Sequence, residues 1–310
     1  MSPKSVTIYS TEKYLLDWPG HVFPTGKYRA VRERLLRLRP GLAPRFREPS
    51  PAREDQILLA HTGDFLRRVE ALSETPDLAI LEFEIPVSKA VLDALRLHTG
   101  GSILACRDAM ETGAAAVNLG GGFHHAFADH GEGFCVFNDV AVALLTARRE
   151  GWLRTAAVID CDVHQGNGTA RIFRDDPSVY TFSIHQENNY PIKQGSDWDI
   201  GLEDFAGDDR YLAALGEALP VILKTQEPDL VFYVAGADPF EEDLLGGLKL
   251  TKEGFRERDR LVFGLCRDRG IPVAAALAGG YARRPEDVVE IHTNMVLDLL
   301  DVMEPGVFRS

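Results

Sequence analysis

The sequence predicts an α/β fold built on a central, mostly parallel sheet, and three observations predict it. Short apolar runs recur along the 310 residues, helical patterns separate them, and unusual polar or glycine-rich residues stand directly after them. The runs occupy residues 6–9, 115–118, 156–159, 179–183, 230–234 and 273–277. They are rich in Val, Ile and Ala and lack in/out alternation, as expected of parallel strands covered on both faces. Helical patterns span 88–110, 140–149 and 211–224, the first with an expected break at Thr99-Gly100-Gly101. Strand–helix–strand repetition implies right-handed crossovers. No linker, low-complexity stretch or internal repeat interrupts residues 1–310, so one domain is expected.

Composition narrows the function classes. The chain is 45% hydrophobic and 26% charged, with a net charge of −13, which argues against a nucleic-acid binder that must neutralise phosphates. No run is long enough to span a membrane, and residues 1–18 lack a signal-peptide core. Cys106, Cys135, Cys161 and Cys266 are scattered, so disulfides are not expected and a reducing cytoplasm fits. Arginines cluster between Lys27 and Arg53; Val31, Leu35 and Leu38 at helical spacing predict an amphipathic helix with a basic outer face.

Five strand ends carry the chemistry. After residue 118 come three glycines, Phe123 and His124-His125; after 159, Asp160-Cys-Asp162-Val-His164-Gln-Gly-Asn167; after 182, Ser183-Ile184-His185; after 234, Ala-Gly-Ala-Asp238; after 277, Ala-Gly-Gly-Tyr281. Ligands of open α/β sheets bind beyond the carboxyl ends of the strands, so these groups converge. Asp162 and His164 share a face of an extended segment and can grip one metal with Asp238 as third ligand. Two oxygens and one nitrogen leave a position open, the catalytic pattern for zinc. His124 and His125 can serve as acid and base, because imidazole titrates near neutrality. Each needs an orienting partner, for which Asp160 and Asn167 are the candidates: His124 with Asp160 as the charged pair, and His125 with Asn167 as the neutral, basic one. Tyr281 can donate to a carbonyl oxygen as charge develops on it.

Taken together, these segments resemble the histone deacetylase family over about residues 9–281. GGGFHHAFADHGEGFCVFNDVAVA is similar to its catalytic-histidine segment, IDCDVHQGNG to its metal segment, and GADPFEEDLLGGL and AGGY to its third-ligand and tyrosine segments. His-Gln-Gly-Asn-Gly, HVFPTGKYR and Thr99-Gly100-Gly101 look like the class IV branch and its bacterial relatives. The resemblance implies a three-layer arginase/deacetylase-type fold with about eight strands flanked by helices. It implies Zn2+ on Asp162, His164 and Asp238, with His124, His125 and Tyr281 catalytic. It further implies a substrate tunnel walled by Gly133, Phe134 and Tyr190, and K+ near Asp160, Asp162, His164, Ser183 and Ile184. Acylated lysine is the implied substrate, long acyl chains included, with acetylated polyamines or another small acylated amine as the alternative. The acidic residue that clamps substrate backbone in class I members has no match that the sequence locates around residues 81–86. A non-catalytic acyl-lysine binder should have lost Tyr281, a histidine or a metal ligand, and none is missing; a two-manganese hydrolase needs more bridging ligands than the sequence offers.

Overall fold

Eight strands, all parallel, form one sheet in the order β2-β1-β3-β8-β7-β4-β5-β6 in a computed structural model that describes residues 5–16, 18 and 21–307. The strands are β1 (Thr7–Tyr9), β2 (Phe46–Arg47), β3 (Ala115–Asn118), β4 (Ala156–Asp160), β5 (Val179–Gln186), β6 (Trp198–Leu202), β7 (Leu230–Val234) and β8 (Val273–Ala276). Every residue of β3, β4, β7 and β8 is buried, which is why those runs are continuously apolar. Helices flank the sheet. Lys89–Thr112 packs on β1, β3 and β8 and against Asp139–Arg149, while Pro285–Met303 packs beside Lys27–Leu38 and Lys252–Arg269. No helix among the described residues is long and apolar enough to cross a membrane, and all four cysteines are free and buried.

The sheet bears out the expected fold class and sharpens it in detail. It is wholly rather than mostly parallel. Two strands are new: β2 spans two residues, and β6, at the edge, alternates between half-buried and exposed positions up to the buried Leu202. The helix expected to break at Thr99-Gly100-Gly101 runs unbroken over Lys89–Thr112. These glycines serve close approach instead: a Cβ on Gly100 would lie 1.8 Å from Ser50 O, and one on Gly101 2.3 Å from the Tyr14 hydroxyl. The basic helix is Lys27–Leu38; Val31 and Leu35 are buried, but Leu38, the last residue of the helix, is exposed. Its arginines meet acids: Arg29 with Glu33, Arg32 with Glu12 and Arg34 with Glu290.

Strand order positions the site. The five strands whose ends carry the unusual residues, β3, β8, β7, β4 and β5, are consecutive in the sheet. Their carboxyl ends therefore form one continuous floor, and the neighbours β4 and β7 lead the chain off in opposite directions, to β5 and to β8, which is where ligand crevices of open sheets form.

Candidate active site

Asp162, His164 and Asp238 meet just beyond β4 and β7. His164 Nδ1 stands 3.2 Å from both Asp162 Oδ1 and Asp238 Oδ2. One potential ligand atom from each lies within 4.8 Å of the other two, and all three residues are buried. The carboxylates are aimed from behind. Asp162 Oδ2 accepts from Gly279 N–H at 2.9 Å, and Asp238 Oδ1 from Val163 N–H at 2.9 Å. Each thus has one oxygen held from behind and one turned to the shared point, where Asp162 Oδ1 also accepts from His164 N–H at 3.0 Å. Burial and the neighbouring Asp162 charge push the Asp238 carboxyl up to about 7. Burial opposes charge on His164, yet its bonds to the two carboxylates raise it to about 10. Two buried carboxylates and an imidazole turned on one point could hold a cation there, and one nitrogen with two oxygens suits a divalent metal.

The two histidines of the glycine turn stand beside this cluster. His124 Nδ1 is 2.7 Å from Asp160 Oδ2, and His125 Nδ1 is 2.8 Å from Asn167 Oδ1. Their Nε2 atoms lie 3.1 Å apart. The environments drive the rings in opposite directions. Burial disfavours charge on His124, but Asp160 and Asp162 outweigh it and raise the ring to about 9. Burial and the charges of His124 and His164 hold His125 well below an ordinary imidazole. The turn that delivers them depends on Gly122, whose φ is +81° and whose Cβ would lie 2.5 Å from that of Ala278.

Above the floor a cavity of about 200 Å3 opens, walled by Gly133, Phe134, Tyr190, Leu245 and Glu84, with His125, His164 and Tyr281 at its base. The Tyr281 ring packs 6.3 Å from His164, 6.1 Å from Phe134 and 5.9 Å from Phe23. Ser183 and Ile184 lie on β5, where Ser183 is in register with Asp160 and its hydroxyl meets His185 Nδ1 at 2.9 Å. Every residue that the sequence assigned to the site is therefore at or around one crevice. A larger cleft of about 510 Å3, between Lys27–Leu38 and Pro285–Met303, opens elsewhere on the surface and holds no such cluster.

Residues 21–297 match the family model described as the histone deacetylase domain. The chain belongs to the histone deacetylase family. It is 40% identical to an uncharacterized protein of Picosynechococcus over 88% of this chain and 91% of that protein. It is 33% identical to histone deacetylase 2 of Arabidopsis thaliana, over 78% and 65%, and 31% identical to a probable deacetylase of Methanothermobacter thermautotrophicus, over 89% and 85%. The fold is shared with the crystal structure of an HDAC homolog complexed with SAHA, with a TM-score of 0.82 at 24% identity, over 95% of this chain and 84% of that one. Membership of the histone deacetylase family makes this chain a hydrolase, with a buried Asp/His/Asp cluster that could bind a metal.

As a histone deacetylase family member it holds several residues near the site that the sequence reading passed over. Asp139 accepts from Gly122 N–H at 3.0 Å and Phe123 N–H at 2.7 Å, fixing the turn before the histidines. Asp243 accepts from Tyr281 N–H at 2.7 Å, and burial raises it to about 6 despite three backbone donors. Lys27 is buried, donates to Ala278 O at 2.5 Å, and burial lowers it to about 8 although Asp238 and Asp162 pull the other way. All three fall inside quoted motifs, FND, DPFEED and TGKY, so the signal was present but unassigned. Glu84 lines the tunnel mouth within residues 81–86, the stretch in which the sequence did not locate the class I acidic equivalent, and accepts from Gly133 N–H at 3.3 Å. Glu132 accepts from the Tyr190 hydroxyl at 2.8 Å and from Asn167 Nδ2 at 3.4 Å. Nothing in the local sequence marks either glutamate.

Proposed function

We propose that this chain is a single-domain, zinc-dependent deacylase that hydrolyses the amide of acylated lysine, of the class IV kind suggested by His-Gln-Gly-Asn-Gly. The observation that carries the reading is the meeting of a ligand triad, two oppositely tuned histidines and a tyrosine at the foot of one narrow cavity. Zinc on Asp162, His164 and Asp238 would supply Lewis acidity toward an amide carbonyl and a more acidic water. K+ beside Asp160, Ser183 and Ile184 belongs to the same proposal by resemblance alone.

The side chains divide the remaining work. Asn167 Oδ1 accepts from His125 Nδ1–H, which leaves His125 Nε2 unprotonated and able to take a proton from water. Its low basicity keeps that nitrogen free near neutral pH. His124, held charged by Asp160, has a proton on Nε2 to give to the departing amine. The Tyr281 hydroxyl, at the base of the cavity, donates to the carbonyl oxygen as negative charge gathers there, a contribution of about 3 kcal/mol. Phe134 and Tyr190 line a passage that lets the lysine methylenes leave water.

The acyl side of the site argues for short chains. Beneath the cavity lies a space of only about 20 Å3, bounded by Phe23, Phe123, Cys135 and Ala278 among others. That is room for roughly one water-sized group beside His124, His125, Asp162 and His164, which favours acetyl over an octanoyl or myristoyl chain. A second reading, a small acylated polyamine as substrate, is favoured by Glu84 and Glu132 at the mouth, where a cationic tail would lie. Turnover of acetyl-, octanoyl- and myristoyl-lysine peptides and of acetylpolyamines by the zinc-loaded protein tests both. Acetyl-lysine should be cleaved fastest; no turnover on the whole panel would remove the deacylase reading.

A further inference from the structure

Arg258 sits within the helix Lys252–Arg269, and its side chain is 0% exposed. No step of the proposed reaction uses it. A buried guanidinium must be paired and hydrogen-bonded to be tolerated. Asp259 supplies the pairing, accepting from Arg258 Nε at 3.0 Å and from the Tyr233 hydroxyl at 2.5 Å. The Phe255 ring, 4.5 Å from the guanidinium carbon, packs against it.

The other branch of the fork reaches two loops. Arg258 Nη1 donates to Gly236 O at 2.7 Å and to Cys161 O at 3.3 Å, and the Tyr211 hydroxyl also donates to Cys161 O at 3.3 Å. Cys161 immediately precedes Asp162, and Gly236 stands two residues before Asp238. The two segments press together at this point, since a Cβ on Gly236 would lie 2.4 Å from Asp162 Oδ2. One cation thus holds the carbonyls beside both acidic members of the triad. Pairing with Asp259 alone would not require that reach. The planar fork of arginine can span a carboxylate and two carbonyls where the point charge of lysine cannot.

We propose that Arg258 is a positioning residue: by bridging the Cys161 and Gly236 carbonyls it sets the spacing of Asp162 and Asp238, and with it the metal affinity of the site. The inference rests on the reading that these aspartates and His164 hold a divalent metal.

The test measures binding rather than turnover. Zn2+ affinity of the full-length protein is read by competition with a chromophoric chelator, and ligand geometry from the visible absorption of bound Co2+. Two variants are compared with the wild type. Arg258→Lys keeps a charge opposite Asp259 but gives up the fork. The double substitution Arg258→Met with Asp259→Leu removes both charges together, so that no lone ion is left buried. The double variant should bind Zn2+ about 10–100-fold more weakly and shift the Co2+ spectrum, and Arg258→Lys should show a smaller loss in the same direction. A lowered melting temperature with Zn2+ affinity and Co2+ spectrum unchanged would mean that Arg258 only supports the fold, and overturns the proposal. If the double variant does not fold, Arg258→Lys decides, and an affinity within twofold of wild type overturns it. A wild-type protein that binds no Zn2+ removes the metal reading and this inference with it; equal binding by wild type and folded variants removes this inference alone.

Discussion

The floor of the crevice and its mouth are built differently. On the floor, Asp160, Asp162, His164, Asp238, His124 and His125 are all buried, and each is held by a second side chain or a backbone N–H. At the mouth, Tyr190, Glu84 and Leu245 are exposed, and they come from loops far apart in the chain. The floor has the rigidity that charge stabilisation needs. The mouth has the exposure and sparse bonding of a surface that selects among substrates. Chemistry and selectivity should therefore fail separately when each region is altered.

The largest effect is expected on the floor. Asp238→Ala removes one of two buried carboxylates and should abolish Zn2+ binding and turnover together, as read by metal analysis and a peptide assay. Retained metal would break the assignment of the triad. Tyr281→Phe should keep the metal and slow turnover by about two to three orders of magnitude, the usual cost of losing one such donor. A near-normal rate would take Tyr281 out of the reaction.

Supports of the floor should report through stability. His98 Nδ1 accepts from Gly121 N–H, and His61 Nε2 accepts from Asn138 N–H. Burial lowers them to about 3 and about 4. Both stay neutral in the fold but charge once the chain is unfolded, where an ordinary histidine titrates near 6.5. Their contribution is complete above pH 6.5 and is lost as the pH falls from there toward 4 and then 3. Denaturant unfolding at pH 5 against pH 8 should show about 2 kcal/mol lost per histidine, and substituting either by Gln should shrink the difference. The smallest effect belongs to the mouth. Glu84→Gln should weaken kcat/KM for cationic substrates by no more than about fivefold, the worth of an exposed charge pair, with kcat unchanged. A large fall in kcat would erase the distinction between the two regions.

The same contrast governs what could be read from sequence. β3, β4, β7 and β8 are buried on both faces, so their residues are uniformly apolar and mark themselves. The groups just past them follow at short spacing, and Asp160, Asp162, His164 and Asn167 all come from one stretch of eight residues. The edge strands were invisible for the opposite reason: β6, with Trp198, Asp199 and Gly201, is half-exposed, and β2 has two residues. Gly100 and Gly101 misled because a glycine pair in a helix reads as a break, whereas here backbone Ser50 O and the Tyr14 hydroxyl occupy the room a side chain would take. Glu84, Glu132 and Arg258 gain their meaning only from partners 49, 58 and 97 residues away. No local pattern encodes such pairings.

The order of the strands also bears on how the molecule is made. β8, the last strand of the sheet to be synthesised, fills the gap between β3 and β7 at its middle. Until residues 273–281 have emerged, the two flanks it joins lack their common neighbour, and Tyr281 and the Gly279 amide that aims Asp162 are both absent. Pairings of such long sequence separation form slowly. The nascent chain is thus kept from completing its crevice until its final strand and the residues just past it are available.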